Sequence, residues 1–467
     1  MKILLVQAKF TRYHNITNPP LGLMYISAVL KRGGFAEVRL LHLDAHPDAQ
    51  ALMRSELESF RPDVVGVGAL TAQAPSLHEA AAQAKAASPG CLVVAGGPHP
   101  TLYYEECLRD RNIDLVVRGE GEDTFLEIVA ARAGGASLAG IRGTCRREGE
   151  AFIEEPPREF RADLDTLPMP DWDVLDIASY DRIIPCSIFS YGSRHMPLIT
   201  SRGCPYECVY CHHTMGKRYR AHSPERVLEE MLLLHGKYGV RFCEIMDDNV
   251  NLDRARFKKI LRLLAERRPA DLQVYLSYGL RADTLDAEAI DMFRAAGIPY
   301  FAIGIESGSK KIQALSRKNL DLGKVKLLVD HAASRRIFIH GLFMVGFPGE
   351  TEEDIRETIE YACASSLHTC LISTCRVYKR TRLAEMVGNR GLMSEAGDVD
   401  SFGGYGGMPG SVNLSASRLL WLKFMMNLRF YYSPARVWRI FRDLPRYTPG
   451  LLFLLLKKLL GRSIPLE

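Results

Sequence analysis

The sequence predicts an α/β protein: a doubly wound, Rossmann-like parallel sheet, then a partial (β/α)6, TIM-like barrel, then a helical tail. Three observations lead there. Through residues 1 to about 135, short and almost wholly apolar runs alternate with helical stretches, the pattern of parallel strands covered on both faces. From residue 196 to about 380, strand and helix repeat six times, two units short of a closed eight-fold barrel. Beyond residue 380 the alternation stops and no further strands are offered.

In the first part, KILLVQA reads as a strand and LGLMYISAVLKRGG as an amphipathic helix stopped by Gly33-Gly34. VRLLHLDA, a helix over 48–60, DVVGVGA, a helix over 75–88, CLVVAGG and DLVVRGEG follow. Doubly wound sheets bind ligands at the carboxyl ends of their strands. Here those ends carry Thr71, then Gly96, Gly97, Pro98 and His99 of GGPHPT, then Gly119, Glu120, Gly121 and Glu122 of GEGEDT. Glycine at such a place lets a bulky ligand approach the backbone. His99, between two prolines, reads first as a loop residue. No G-x-G-x-x-G follows the first strand, so the nicotinamide fingerprint is missing, and cobalamin, flavin and nucleotide all stay open.

EEPPREF and DLDTLPMPDW are rich in proline and acid, which predicts an extended linker. The expected division is therefore 1–140, a linker over 141–190, a barrel over 191–385 and a helical region over 386–467.

A net charge of +5 is too mild to argue for nucleic acid. MKILLVQAKF reads as a first strand rather than a signal peptide, and no apolar run reaches the roughly 18 residues that span a bilayer. Eleven cysteines, an odd number unevenly spread, fit a reducing compartment and a cytoplasmic location. Cys91, Cys107, Cys145, Cys243, Cys363, Cys370 and Cys375 read as apolar filler.

RGCPYECVYC is different. MPLITSRG runs as a strand straight into Cys204, with Cys208 and Cys211 close behind. Three thiolates can hold an iron–sulfur cube and leave one iron free for another ligand. Zinc would need a fourth ligand, which the adjacent His212 and His213 could supply. In the barrel that follows, the polar strand ends are Asp247-Asp248-Asn249, Arg281, Glu306-Ser307 and Gly346 to Glu350.

C-x-x-x-C-x-x-C after the first strand of a six-unit barrel resembles the radical S-adenosylmethionine superfamily. PPLGLMYISAVLKRGGF, GGPHPT and VVRGEGEDTF resemble its subgroup with an N-terminal cobalamin-binding domain, and the likeness covers residues 1 to about 380. It implies three cofactors: a [4Fe–4S] cluster on Cys204, Cys208 and Cys211, S-adenosylmethionine chelated to the free iron, and cobalamin. It places Tyr210 near the adenine and Asp247, Asp248 and Asn249 at the methionine amino group. Arg281 is expected at the methionine carboxylate, Glu306 and Ser307 at the ribose, and Gly346 where the adenine enters. Glu350 to Asp354 are expected to favour the start of the next helix through its dipole.

The implied reaction is reductive cleavage of S-adenosylmethionine, abstraction of hydrogen from an unactivated carbon and, in methylating members, methyl transfer from cobalamin. Cyclisation or oxidation by the same apparatus is the alternative. DAHPDA half-resembles the D-x-H-x-x-G of cobalt's lower ligand but follows the second strand and lacks the glycine, so no such histidine is expected. Lys379-Arg380 stand where the subgroup often has a proline–glycine turn. A tRNA methylthiotransferase would need a second cysteine triplet, for which only the scattered Cys91, Cys107, Cys145 and Cys186 are candidates. A cobalamin sensor would not need the barrel's polar strand ends.

Expected partners are a small-molecule substrate and an electron donor such as flavodoxin or ferredoxin. Residues 418–462 carry ten Lys or Arg against Asp443, interleaved with aromatics, which predicts contact with an anionic lipid surface at the inner membrane face. Packing of these helices across the domains is the plainer reading. No RNA-binding module is evident.

Overall fold

The computed structural model describes residues 1–10, 18–46, 48–182, 194–388 and 414–444, and the chain divides near residue 184 into two compact units. In the first unit, β1 (Ile3–Gln7), β2 (Val38–His42), β3 (Val64–Gly68), β4 (Leu92–Gly96) and β5 (Leu115–Val117) are parallel, in the order 2-1-3-4-5. Each strand is nearly all Val, Leu, Ile or Gly because helices cover both sheet faces. Helices Ala49–Phe60 and Ala74–Ala87 supply Met53, Leu57, Leu77 and Ala81 to one such core. The strand order reverses between β1 and β3, which opens a crevice at their carboxyl ends.

The stretch expected as an extended linker has structure of its own. β6 (Thr144–Glu148) and β7 (Ala151–Glu154) form a hairpin that adds antiparallel strands beside β5. After it, Leu164 and Leu167 pack on Tyr25 and Val29 of helix Leu21–Arg32. Asp171 accepts from the Ser27 hydroxyl at 2.5 Å and pairs with Lys31 at 2.6 Å. Proline and acid there serve docking onto a helix, not free extension.

The second unit holds a parallel sheet with short excursions. β8 (His195–Leu198) leads into β9 (Ser201–Arg202), which pairs with β10 (Arg220–Ala221). The sheet continues through β11 (Phe242–Ile245), β12 (Gln273–Leu280), β13 (Tyr300–Glu306), β14 (Phe338–Val345) and β15 (Thr369–Thr374), in the order 15-14-13-12-11-8. All five pairings are parallel, as six strand–helix units require.

Helix Ala416–Tyr431 covers the outer strand. Leu419, Leu422, Met426 and Phe430 recur on its buried side, against helix Glu352–Ala364 and β15. The Tyr431 hydroxyl accepts from Cys370 N–H at 3.2 Å and lies 3.3 Å from its carbonyl, so it occupies an edge that would otherwise stay open. Helix Pro434–Asp443 brings Ile440 and Leu444 onto Phe242, Tyr275, Tyr300 and Phe338 near the amino ends of the strands. Arg446, Lys457, Lys458, Arg462, the run LLFLLLKKLL and Cys186 lie outside the described residues.

Candidate active site

The cysteine loop hangs from a two-rung ladder in which Arg202 opposes Arg220 and Ser201 opposes Ala221. Asp247 braces it. This buried carboxylate accepts from the Thr200 N–H and hydroxyl, both at 2.6 Å, and from the Ser201 hydroxyl at 2.5 Å. Burial pushes its carboxyl up, and Arg256 and the hydroxyl bonds oppose that rise. Arg256 donates to the Thr200 carbonyl at 2.7 Å and to the His222 carbonyl at 2.8 Å. Asp247 is thus spent on holding the loop, whereas an amino-group contact was expected of it. Arg256 was not anticipated, because its partners lie 34 and 56 residues away.

On the loop, Cys204 and Cys208 are half-buried, Cys211 is exposed, and all three are free thiols. Their sulfurs lie near enough to interact electrostatically. Among the described residues, no three His, Cys, Asp or Glu side chains converge as a single metal ion would need. Three thiols grouped on one loop suit a multi-iron cluster, in which each sulfur takes a different iron.

Neighbouring strand ends converge on the loop. Asp248 is exposed and accepts from Gly203 N–H at 3.3 Å. Asn249 is buried, and its Oδ1 has no hydrogen-bond partner. A donor-rich ligand such as an ammonium fits this pair of oxygens. Arg281 is more committed than expected: it pairs with Asp283 at 2.7 Å and donates to the Lys318 carbonyl at 2.7 Å. Asn251 fixes its backbone, donating to the Arg281 carbonyl at 2.8 Å.

Glu306 sits at φ 67°, where β13 shifts register, and pairs with Lys318 at 3.1 Å. Tyr210 donates to Glu306, and burial, then that carboxylate, holds its phenol well above the ordinary range. Its ring meets Phe347 edge-on at 6.0 Å. Ser307 is fully buried and bonded to the Thr358 hydroxyl at 2.8 Å, so it shapes the turn and offers a ribose nothing. Gly346 stands at φ 91°, a left-handed position that favours glycine, and its N–H donates to Glu350. Glu350 thus closes the 346–350 loop; Thr351 and Asp354 cap the helix that follows.

In the first unit, Thr71, Gly96 and Gly119 lie at the carboxyl ends of β3, β4 and β5. Gly97 at φ 95° lies against Ala69, where an added Cβ would come within 3.1 Å of the Ala69 carbonyl oxygen. An added Cβ on Gly96 would make only ordinary contact, with Val117 at 3.9 Å, so the strand end there forms a shelf bare of side chain. Pro98 begins a short helix and His99 is buried, stacked on Tyr103 at 4.9 Å. The Gly119 N–H donates to Thr101, and Gly121 precedes helix Glu122–Ala133, whose first residue, Glu122, is buried. Asp44 of DAHPDA accepts from Phe10 N–H and Gln73, and His46 is exposed at the far end of that turn. A cavity of about 370 Å³ bordered by Lys9, Phe10, Leu43 and Met53 opens beside β1 and β2.

Two family models match the chain: the B12 binding domain over residues 15–129 and the radical SAM superfamily over 198–362. An uncharacterized methyltransferase of Pyrococcus horikoshii is 33% identical over 393 residues, 82% of this chain and 83% of that protein. The chain belongs to the cobalamin-dependent radical S-adenosylmethionine enzymes. Cytidylyl-2-hydroxyethylphosphonate methyltransferase of Streptomyces wedmorensis is 29% identical over 392 residues, 73% of each chain. The radical S-adenosylmethionine methyltransferase TsrM from Kitasatospora setae shares the fold, with a TM-score of 0.72 at 19% identity over 96% of this chain and 92% of that one. Of the four cysteines on which a methylthiotransferase's second triplet would draw, Cys91, Cys107 and Cys145 are buried in the core of the first sheet, and Cys186 lies outside the described residues.

Proposed function

We infer that this enzyme transfers a methyl group to an unactivated carbon of a small molecule. The observation that carries the reading is the braced loop of Cys204, Cys208 and Cys211, with Asp248, Asn249 and Glu306 gathered at the next strand ends. Methyl transfer, rather than cyclisation or oxidation, is favoured by the two relatives named as methyltransferases. When bound, the cluster, S-adenosylmethionine and cobalamin supply the electron, the hydrogen abstraction and the methyl group. The chain's own residues position them. The three cysteines ligate iron, Asp248 and Asn249 accept from the methionine ammonium, and Glu306 accepts from the ribose while Lys318 holds it. Thr71, Gly96, Gly97 and Gly119 to Glu122 border the cobalamin shelf.

Anaerobic reconstitution tests this reading. The expected result is about four irons per chain, with release of 5′-deoxyadenosine and S-adenosylhomocysteine. Cys208→Ala should lose the iron and the 5′-deoxyadenosine together. Zinc in place of iron, or a fully active Cys208→Ala, would overturn it.

The electron comes from a small donor protein of the flavodoxin or ferredoxin kind. The C-terminal helices are read as resting on an anionic lipid surface. Among the described residues no helix is long and apolar enough to cross a membrane. Yet the side of helix Ala416–Tyr431 away from the barrel carries Trp421, Phe424 and Leu428, with Phe424 61% exposed. Helix Pro434–Asp443 adds Trp438 at 67% and Phe441 at 57% exposure. Arg429, Arg439 and Arg442 stand among them, and the one acid, Asp443, is buried against His368 and Arg442. Interfacial aromatics with a cationic surround suit a lipid headgroup layer. Co-sedimentation with anionic but not zwitterionic liposomes, lost in Trp438→Glu/Phe441→Glu, is expected; equal pelleting of wild type and variant would refute the contact.

A further inference from the structure

The register of the barrel sheet sorts its side chains by face. Tyr275 lies opposite Tyr300, and Tyr300 opposite Phe338. With Phe242 these rings form the aromatic cluster beneath helix Pro434–Asp443. Side chains alternate along a strand. Two residues on, the same face carries Ala302 and His340, with Thr369 opposite His340 on β15; β12 shifts register against β13 after Leu276, and Ser277 falls on this face together with Gly279, whose Cβ direction meets Leu342. Beyond these come Gly304, Leu342 and Leu371, then Met344 and Ser373. The other face packs under the helices, where Phe301, Ile303, Phe343, Val345 and Ile372 are buried.

The inner face is thus layered: an aromatic base, one polar layer, then an apolar wall. Leu371 is 52% exposed within its strand, so the wall is not filled by protein. Leu342 reaches across Gly304, and its Cδ1 lies 3.1 Å from where a Cβ on Gly279 would stand. No Lys or Arg occurs in the six strands themselves, and the one ammonium over this face, Lys318 above Gly304, is held in its pair with Glu306 at 3.1 Å.

The polar layer is unfinished. Ser277 is 9% exposed, and its hydroxyl has no hydrogen-bond partner. The His340 Nδ1 is engaged with the Thr369 hydroxyl at 2.7 Å, which leaves Nε2 for something else. Burial lowers His340 to about 4, so the ring is neutral at physiological pH. A buried hydroxyl without a partner is destabilising, and the cost is retained where a ligand supplies the missing bond.

We propose that Ser277 and His340 form a hydrogen-bonding floor for the single uncharged polar end of an otherwise apolar substrate, whose body lies against Leu342, Met344 and Leu371. The assignment rests on the reading of the barrel as the reaction chamber.

The test uses the full-length, anaerobically reconstituted protein and two probes, 1-naphthol and 1-naphthyl phosphate, with binding read by equilibrium dialysis. Wild type should bind naphthol at least about tenfold more tightly than the phosphate. Ser277→Ala and His340→Phe should each weaken naphthol about tenfold, and His340→Gln, which keeps a donor and an acceptor, should recover most of that. Ser277→Ala should also keep or raise the thermal midpoint, since it removes an unpartnered hydroxyl; a purely structural serine would lower it. Naphthol that fails to bind, binds no better than the phosphate, or binds both variants like wild type overturns the assignment, as does a lowered midpoint in Ser277→Ala. Iron content and 5′-deoxyadenosine release from the same samples judge the radical-enzyme reading separately, because the naphthol titrations do not depend on turnover.

Discussion

The Arg281 guanidinium lies 3.4 Å from the ring centre of Tyr206, two residues beyond Cys204. Stacking of this kind needs a planar cation, and the same fork also binds Asp283 and the Lys318 carbonyl. Arg281→Lys keeps the charge and loses the plane. It should leave the protein folded while the cluster loop loosens, seen as roughly tenfold faster loss of iron to a chelator. Iron retention equal to wild type would reduce Arg281 to a brace between strand ends with no part in holding the cluster loop.

Glu350 is fully buried, accepts from Gly346 N–H and from Phe347 N–H at 3.1 Å, and burial raises it from 4.5 to about 7. Between those values the folded chain holds more protons at this site than the unfolded one. Its contribution to stability is therefore complete below about pH 4.5 and lost as pH rises through about 7. Glu350→Gln keeps an acceptor and does not titrate. Relative to wild type, its thermal midpoint should rise between pH 5 and pH 8, reflecting up to about 3 kcal/mol. Parallel pH curves for the two proteins would contradict this.

Arg436 is buried and donates to the carbonyls of Ala362, Cys363 and Ser365 at 3.3, 2.9 and 2.9 Å, at the end of helix Glu352–Ala364. Its guanidinium also lies 3.5 Å from the ring centre of Phe430. Arg436→Met leaves those carbonyls unsatisfied and should cost about 3 kcal/mol, read as a lower denaturant midpoint. An unchanged midpoint would mean the carbonyls find water.

Asn249 has its Oδ1 buried without a partner. Asn249→Ala should weaken S-adenosylmethionine binding by about tenfold, measured by equilibrium dialysis, with iron content unchanged. Undiminished binding would remove Asn249 from the site.

What could be read in the sequence followed the range of the signal. The cysteine spacing is local and survives folding unchanged, so the loop was plain. The eleven parallel strands were plain because burial on both faces demands unbroken apolar runs. The hairpin over 144–154 was hidden, since TCRRE and AFIE lie at the sheet's outer edge and are half polar. Asp247, Arg281 and Ser307 were rightly placed at strand ends, but their partners come from Thr200, Lys318 and Thr358, which no local pattern announces. Ser277 reaches the layer of His340 across three strands and at the point where β12 shifts register, which no local pattern announces.

One short helix faces two ways. Ile440 and the capping Leu444 pack on the aromatic cluster at the amino ends of the strands, while Trp438 and Phe441 of the same helix are exposed. Whatever binds those outer rings bears on the cover of that aromatic cluster as well. A chain cut just before Ser433 would strip the cover from Phe242, Tyr275, Tyr300 and Phe338 and leave those rings to water.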